Sequence, residues 1–438
     1  VSFIKALFEL NSLIYALTIG LSVGLTIWIY KKHNLSKYQL LIFVLLVLFW
    51  ASINLIRAYR KVYALDPVAS GGLGLDGIVA ANIVAAYGLI SLFGRLPVFF
   101  LSDYFTSRKK VIGFTLLFIM LSSLSVYFRA DYTTMFLSSL SLGLGASVLS
   151  LFNVMFSETF TKKQAIVSVS ILSIAPLLAE FLVAPIQSIL TQNLHKLYNI
   201  MWLVSGLIAL VAFGFLMVVK DNKVQKRNFT FKKFKMVLFD SRFIMLSLFG
   251  IIVSFIRFAS GQANMVAYAN SELVQMNTIL VAYLDVMFSI FQLVAGVIAG
   301  LYLKNKIGTK NTLYVGLLSV LIFALASATQ TNPTLLFIVY GFNGFGYGIL
   351  YNVLLGLAMQ PFEVDMREIS MGIYQTFFAI GIYYGDKIYA LILQLIPHTF
   401  EGSQLYQMVF LLISGIVIVM LVLLALIFQN KYKEFIEA

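Results

Sequence analysis

The sequence contains no cysteine. Disulfides, thiolate metal sites and cysteine nucleophiles are therefore excluded. Histidine is almost as scarce. His33, His195 and His398 are the only three, and each falls in a polar gap between apolar runs. That leaves no histidine triad or histidine metal site within an apolar core. Charge is thin as well, at 11% of residues against about 25% in an ordinary soluble domain. No polar stretch is long enough to build a separate soluble domain. An ordinary soluble enzyme is thus excluded, and no cofactor, metal or catalytic residue is expected.

What the chain has instead is apolar length: 61% of its 438 residues are hydrophobic. A helix crossing a bilayer needs about 20 mostly apolar residues. Thirteen stretches qualify: 8–30, 39–62, 76–102, 111–129, 132–157, 164–190, 199–219, 242–269, 277–302, 312–330, 334–358, 369–396 and 405–428. The first makes a poor signal peptide, because only Lys5 precedes it and no small-residue cleavage site follows. It reads as an extra transmembrane helix ahead of a core of twelve. The expected fold is an all-α membrane protein.

The formal net charge is +13. In a soluble protein this would suggest a nucleic-acid partner; here the positions of the charges give a different meaning. If 39–62 starts in the cytoplasm, 22 of the 31 basic residues fall in inner loops and the tail. The outer side holds only Lys5, Arg129 and Lys196 clear of the spans. This is the positive-inside pattern. It predicts a multi-pass protein of the cell membrane, N-terminus outside and C-terminus cytoplasmic. The expected partners are the lipid bilayer and a small solute, with no nucleic acid, and the expected state is a monomer. The longest basic loop, 220–241, divides the core into six plus six helices and suits anionic headgroups. The organisation read from sequence is 1–37 for the extra helix and its basic loop, 38–219 for one six-helix bundle, 220–241 for a linker, and 242–438 for the second bundle and tail.

The two halves echo each other in order. ASINLIRAYR (51–60) and IIVSFIRFAS (251–260) each carry an arginine at the seventh position, late in an apolar run, Arg57 and Arg257, and the first also ends on Arg60. LSDYFTSRKKVIG (101–113) and GLYLKNKIGTKNTL (300–313) are short basic turns followed at once by a new span. LGLGASVLSLFNVMFSETFTKKQ (142–164) and GFGYGILYNVLLGLAMQPFEVDMRE (344–368) each run from glycines through an asparagine to an acidic residue. Internal repeats of this kind are the usual build of secondary transporters.

Ionisable residues inside spans are costly and are functional hypotheses by default. They are Arg57, Arg95, Glu180, Arg257, Asp285, Asp386 and Lys387. At 1.5 Å per helical residue, Arg57 lies roughly 27 Å from Gln39, Arg257 roughly 22 Å from Arg242, and Arg95 about 12 Å from Asp103. Arg57 and Arg257 are deep. An arginine fork binds phosphate or carboxylate bidentately, so two at matching places suit one anion clamped near the midplane. The alternative is that each arginine pairs with a resident carboxylate and only joins helices. Glu180, between Pro176 and Pro185, reads either as a proton carrier or as an arginine's partner, and Asp285 has the same two readings. Asn82, Tyr87, Asn153, Gln262, Asn264, Asn343, Tyr347, Tyr351 and Asn352 are candidates to line a polar cavity or to bond neighbouring helices.

LSDYFTSRKK resembles the signature between helices 2 and 3 of the major facilitator superfamily, G-x-x-x-D-R-x-G-R-R/K. Asp103 and Arg108 match it, while Phe99, Tyr104, Thr106 and Ser107 depart from it. The resemblance covers about 39–428 and implies a twelve-helix fold of two six-helix bundles, with Asp103 and Arg108 as its gating motif. NLIRAYRKVYALDP (54–67) and the segment 72–103 resemble the organophosphate:phosphate antiporters within that superfamily. This second resemblance implies exchange of a sugar phosphate or similar organic phosphate for inorganic phosphate. It implies that Arg57, Arg257, Arg95, Lys387 and Asp386 bind substrate, with Arg60 an alternative to Arg57. Glu180 and Asp285 are then coupling residues or charge partners. The other reading is a proton-coupled exporter of drugs or another small solute, since SIAPLLAEFLVAP (173–185) is similar to the G-P-x-x-G signature of drug/proton exchangers.

Because the chain has no cysteine, single cysteines report orientation without background. Arg129→Cys is expected to react with an impermeant maleimide on intact cells, and Lys110→Cys only after permeabilisation. The reverse pattern would overturn the orientation.

Overall fold

The computed structural model describes residues 2–160, 168, 171–220, 231–362, 364–396 and 402–430, and among them every regular element is helical. Residues 221–230 of the expected linker, the basic pair Lys162 and Lys163, and the tail with Lys431 and Lys433 lie outside the described residues. Eleven described spans are long and apolar enough to cross a membrane, and Ala175–Thr191 and Leu284–Ile298 are shorter apolar helices. Each of the thirteen stretches read from sequence contains one of these helices, the sixth stretch, 164–190, in its described helix Ala175–Thr191.

In chain order the helices are α1 (Ser2–Lys32), α2 (Lys37–Arg57), α3 (Arg60–Leu65), α4 (Gly77–Tyr104), α5 (Arg108–Phe128), α6 (Tyr132–Ser157), α7 (Ala175–Thr191) and α8 (Tyr198–Val218). Then come α9 (Phe231–Leu238), α10 (Ser241–Ala259), α11 (Gln262–Asn270), α12 (Thr278–Ala282), α13 (Leu284–Ile298), α14 (Lys304–Thr329), α15 (Pro333–Met359), α16 (Val364–Leu395) and α17 (Gln404–Asn430). Their starts are chemically marked. Ser36 and Gln39 form a capping box on α2, Asp131 and Thr134 one on α6, and Ser107, Asp240 and Asn332 cap α5, α10 and α15.

Contacts divide the chain into two units that do not follow chain order. The first is Val1–Leu75, Val98–Lys226 and Asn277–Val286. The second is Asp76–Pro97, Arg227–Met276 and Met287–Ala438. α4 therefore passes from the second unit to the first at Pro97, a proline inside the helix whose ring and missing N–H weaken the ladder there.

In the first unit the stretch 39–62, one helix by sequence, breaks into α2 and α3 after Arg57, with Ala58 and Tyr59 between them. Neither glycine nor proline marks the place. Side chains from elsewhere take up the backbone groups instead. Gln187 Nε2 donates to the carbonyls of Asn54 (3.1 Å) and Leu55 (3.0 Å), and Arg60 Nε donates to that of Arg57 (2.9 Å). The extra helix α1 is held by hydroxyls on one side. Tyr15 bonds Ser188, Thr18 bonds Tyr283, and Ser22 donates to the Leu178 carbonyl. Its opposite side, with Leu13, Leu17 and Leu21, is exposed. The stretch 277–302 also divides, at Tyr283, into α12 and α13.

In the second unit 242–269 breaks into α10 and α11 at Ser260 and Gly261, just past Arg257. Gln262 has φ 47°, in the left-handed region. The freed groups are again met by side chains. Tyr389 Oη donates to the Ala259 carbonyl (2.6 Å), Asn264 Nδ2 to the Phe258 carbonyl (2.8 Å), and the Gln262 amide donates to Tyr340 Oη (3.1 Å). α16 lies directly on α10 along Gly381 and Gly385, where a Cβ would strike the α10 backbone. Ser254 Oγ donates across this seam to the Phe378 carbonyl (2.7 Å).

Candidate functional site

Three cationic side chains cluster on the broken helix of the first unit: Arg57, Arg60 and Lys61. Arg60 and Lys61 are fully buried. Arg60 does local work, bonding the Arg57 carbonyl and, through Nη1, Ser139 Oγ at 3.1 Å. Arg57 faces a carboxylate: its Nη2 lies 3.7 Å from Glu180 Oε1, with side chains 11% and 3% exposed. Its guanidinium also lies 5.8 Å from the ring centre of Trp50. Pro176 in the first turn of α7 leaves the helix regular through Glu180, so the carboxylate is carried on a formed helix. Asp285 is buried in the first turn of α13, where helix amides favour a negative charge.

The superfamily-like turn after α4 is also in this unit. Arg108 Nη1 donates to Glu158 Oε2 at 2.7 Å, an acidic residue the signature did not supply. Lys109 Nζ donates to the Met217 and Val219 carbonyls, both at 2.8 Å, and so closes the end of α8. The side chain of Asp103 lies outside the described residues.

The second unit gathers Arg257, Arg95, Asp386 and Lys387. Arg257 is 5% exposed. Its Nη1 donates to Tyr340 Oη at 3.2 Å, and its guanidinium carbon lies 3.5 Å from the centre of the Phe288 ring. That distance is well inside the range for a cation–π contact, worth about 2 kcal/mol when desolvated. Gly261 completes the seat, since a Cβ there would strike the guanidinium. Tyr340 thus accepts from both Arg257 and the Gln262 amide, tying the cation to the helix break. Asp386 is buried, and its Oδ1 accepts from Asn264 Nδ2 at 3.2 Å. Lys387 bonds Asn82, and Arg95 bonds Gln375, whose amide donates to Tyr351 Oη at 2.9 Å.

Sequence reasoning missed Tyr340, Phe288, Gly261, Gln375 and Glu158 as partners of these charges. Gly261, four residues past Arg257 in an apolar run, was the available signal for a helix break. Among the described residues no group of histidine, cysteine or carboxylates is placed to hold a metal ion.

A family model described as Major Facilitator Superfamily matches residues 40–385 and 251–435. No curated protein matches the sequence. Solved structures of similar fold include the nucleoside transporter NupG, 14% identical with a TM-score of 0.70, covering 90% of this chain and 100% of that one. The peptide transporter POT in complex with sulfate is 15% identical with a TM-score of 0.72, covering 92% of this chain and 96% of that one. A POT family transporter in complex with 5-aminolevulinic acid is 13% identical with a TM-score of 0.70, covering 89% of this chain and 96% of that one.

Removing one member of a buried ion pair costs on the order of 3–5 kcal/mol, whereas replacing both by apolar residues is often neutral. Arg57→Met and Glu180→Met are each expected to lower the unfolding temperature in detergent, and the double variant to lower it less than either. Additive losses would show that Arg57 and Glu180 are not coupled.

Proposed function

The chain belongs to the Major Facilitator Superfamily and is a multi-pass secondary transporter rather than an enzyme, and we propose that its solute is a small organic anion, in first place an organic phosphate exchanged for inorganic phosphate. The observation that carries this reading is the seat of Arg257. A guanidinium buried in a membrane span is costly to keep. Tyr340 and Phe288 hold this one with a hydroxyl and a ring face, which orient its fork. Its fork matches the geometry of a phosphate or carboxylate. Substrate-binding roles for Arg57, Arg95, Lys387 and Asp386 belong to the same proposal. One structure of similar fold, the peptide transporter POT, was solved in complex with sulfate, itself an anion.

The pair Arg57–Glu180 favours a second element, proton coupling. A carboxylate 3.7 Å from a guanidinium in a buried place neutralises it. Protonation of Glu180 returns a net positive charge to that place, so a proton and an anion taken up together are electrically matched. In the second reading this proton cycle drives a different small solute. Placement in the cell membrane with the C-terminus cytoplasmic, and a monomeric state, are part of the proposal.

Counterflow in proteoliposomes with labelled inorganic phosphate and sugar phosphates tests it. Wild-type protein is expected to exchange them. Arg257→Lys keeps the charge but loses the planar fork, and is expected to reduce exchange by about 100-fold, the scale of a lost charge-assisted bond pair. Equal exchange by the variant would remove the anion seat. Uptake that ignores phosphate, follows a pH gradient and disappears in Glu180→Gln would establish the proton-driven reading instead.

A further inference from the structure

A twelve-helix fold does not need α1, yet α1 carries a row of hydroxyls into the first unit. Tyr15, Thr18 and Ser22 recur every three or four residues, which places them on one face of the helix. Each finds a partner in another helix or turn. Tyr15 Oη lies 2.8 Å from Ser188 Oγ, Ser22 Oγ donates to the Leu178 carbonyl at 3.1 Å, and Thr18 Oγ1 lies 2.8 Å from Tyr283 Oη. Thr18, Ser22, Ser188 and Tyr283 are all buried.

These partners come from two places. Leu178 and Ser188 belong to α7, and Tyr283 joins α12 to α13. α7 lies before the linker 220–241 and α12 after it, so chain order assigns them to different bundles. Within the first unit they nonetheless pack together, and α1 bonds to both sides of that junction. Each gripped segment carries a buried carboxylate: Glu180 is two residues past Leu178, and Asp285 two past Tyr283. The bonds are not equivalent. Thr18 Oγ1 has two acceptors within its own helix, the Ile14 and Tyr15 carbonyls, both at 3.1 Å. Its one hydrogen stays in α1, which makes Tyr283 Oη the donor across the junction. Breaking this bond therefore leaves Thr18 satisfied and costs only the Tyr283 hydroxyl a partner.

We propose that α1 is a strap: anchored on α7 by Tyr15 and Ser22, it holds the Tyr283 segment against α7 through the Thr18–Tyr283 bond, and that bond is the link released when the bundles part. Carriers built from such repeats work by rocking one bundle against the other. Elements from opposite bundles that pack together in one phase separate in another. α1 adds the cost of an interhelical hydrogen bond to that separation. It thereby sets how often the segments carrying Glu180 and Asp285 come apart. The inference requires no particular solute, so it stands or falls independently of the anion reading.

The test uses the full chain in lipid nanodiscs, where the lack of native cysteine makes one engineered thiol a clean reporter. Val281→Cys, at a buried position on α12, reports separation from α7 by its rate of reaction with a water-soluble maleimide. Removing the link with Thr18→Val or with Tyr283→Phe is expected to raise that rate about threefold, the scale of one interhelical hydrogen bond. The double variant is expected to rise no further than the larger single, because both residues serve one bond. Val148→Cys, at a buried position on α6, is expected to stay slow in every variant. A Val281→Cys rate that neither substitution changes overturns the strap. So does a double variant in which the two effects multiply, since the hydroxyls would then act separately. Val148→Cys accelerating in step with Val281→Cys also overturns it, by showing general loosening in place of a released link.

Discussion

In hydrocarbon, a backbone N–H or C=O without a partner costs several kcal/mol, and no water is at hand to relieve it. This constraint governs the arrangement around the buried arginines. Each of the two helices that carries a deep arginine is interrupted just past it, and each interruption frees backbone groups. In the first unit Gln187 takes two carbonyls and Arg60 a third. In the second, Tyr389, Asn264 and Tyr340 serve Ala259, Phe258 and Gln262. The repairing side chains also set the charges: Tyr340 binds the Gln262 amide and the Arg257 guanidinium with one hydroxyl, so the break and the cation are fixed together.

The two arginines, alike in sequence position, differ in company. Arg57 has Glu180, a carboxylate on α7, and that pair is close to neutral. Arg257 lies against the Tyr340 hydroxyl and the Phe288 ring face, which orient it. In the proposed reading the anion is received at Arg257. In the proposed coupling, a proton on Glu180 alters the charge next to Arg57.

The architecture was legible from the sequence because membrane spans are written in long apolar runs. Each of the thirteen stretches contains an apolar helix among the described residues, and the family match agrees with the resemblance of the turn around Asp103 and Arg108. The helix breaks were not legible. The one after Arg57 has no glycine or proline and depends on Gln187, more than a hundred residues away in the chain. The break after Arg257 had a local sign in Gly261, but its meaning depends on Tyr340, which reads in sequence as one more aromatic in a glycine-rich span. Similarly the signature pairs Arg108 with Asp103 in sequence, whereas its partner in the structure, Glu158, comes from the end of α6. Depth and charge can be counted along a chain; which distant side chain repairs a carbonyl cannot.

The central claim is that the seat built by Tyr340, Phe288 and Gly261 holds Arg257 ready for the anionic group of the solute. Determining the structure of the protein with glycerol 3-phosphate bound tests it most directly. The account predicts phosphate oxygens about 3 Å from the Arg257 guanidinium nitrogens, hydrogen-bonding distance. A phosphate seated elsewhere, with Arg257 untouched on Tyr340 and Phe288, would contradict it.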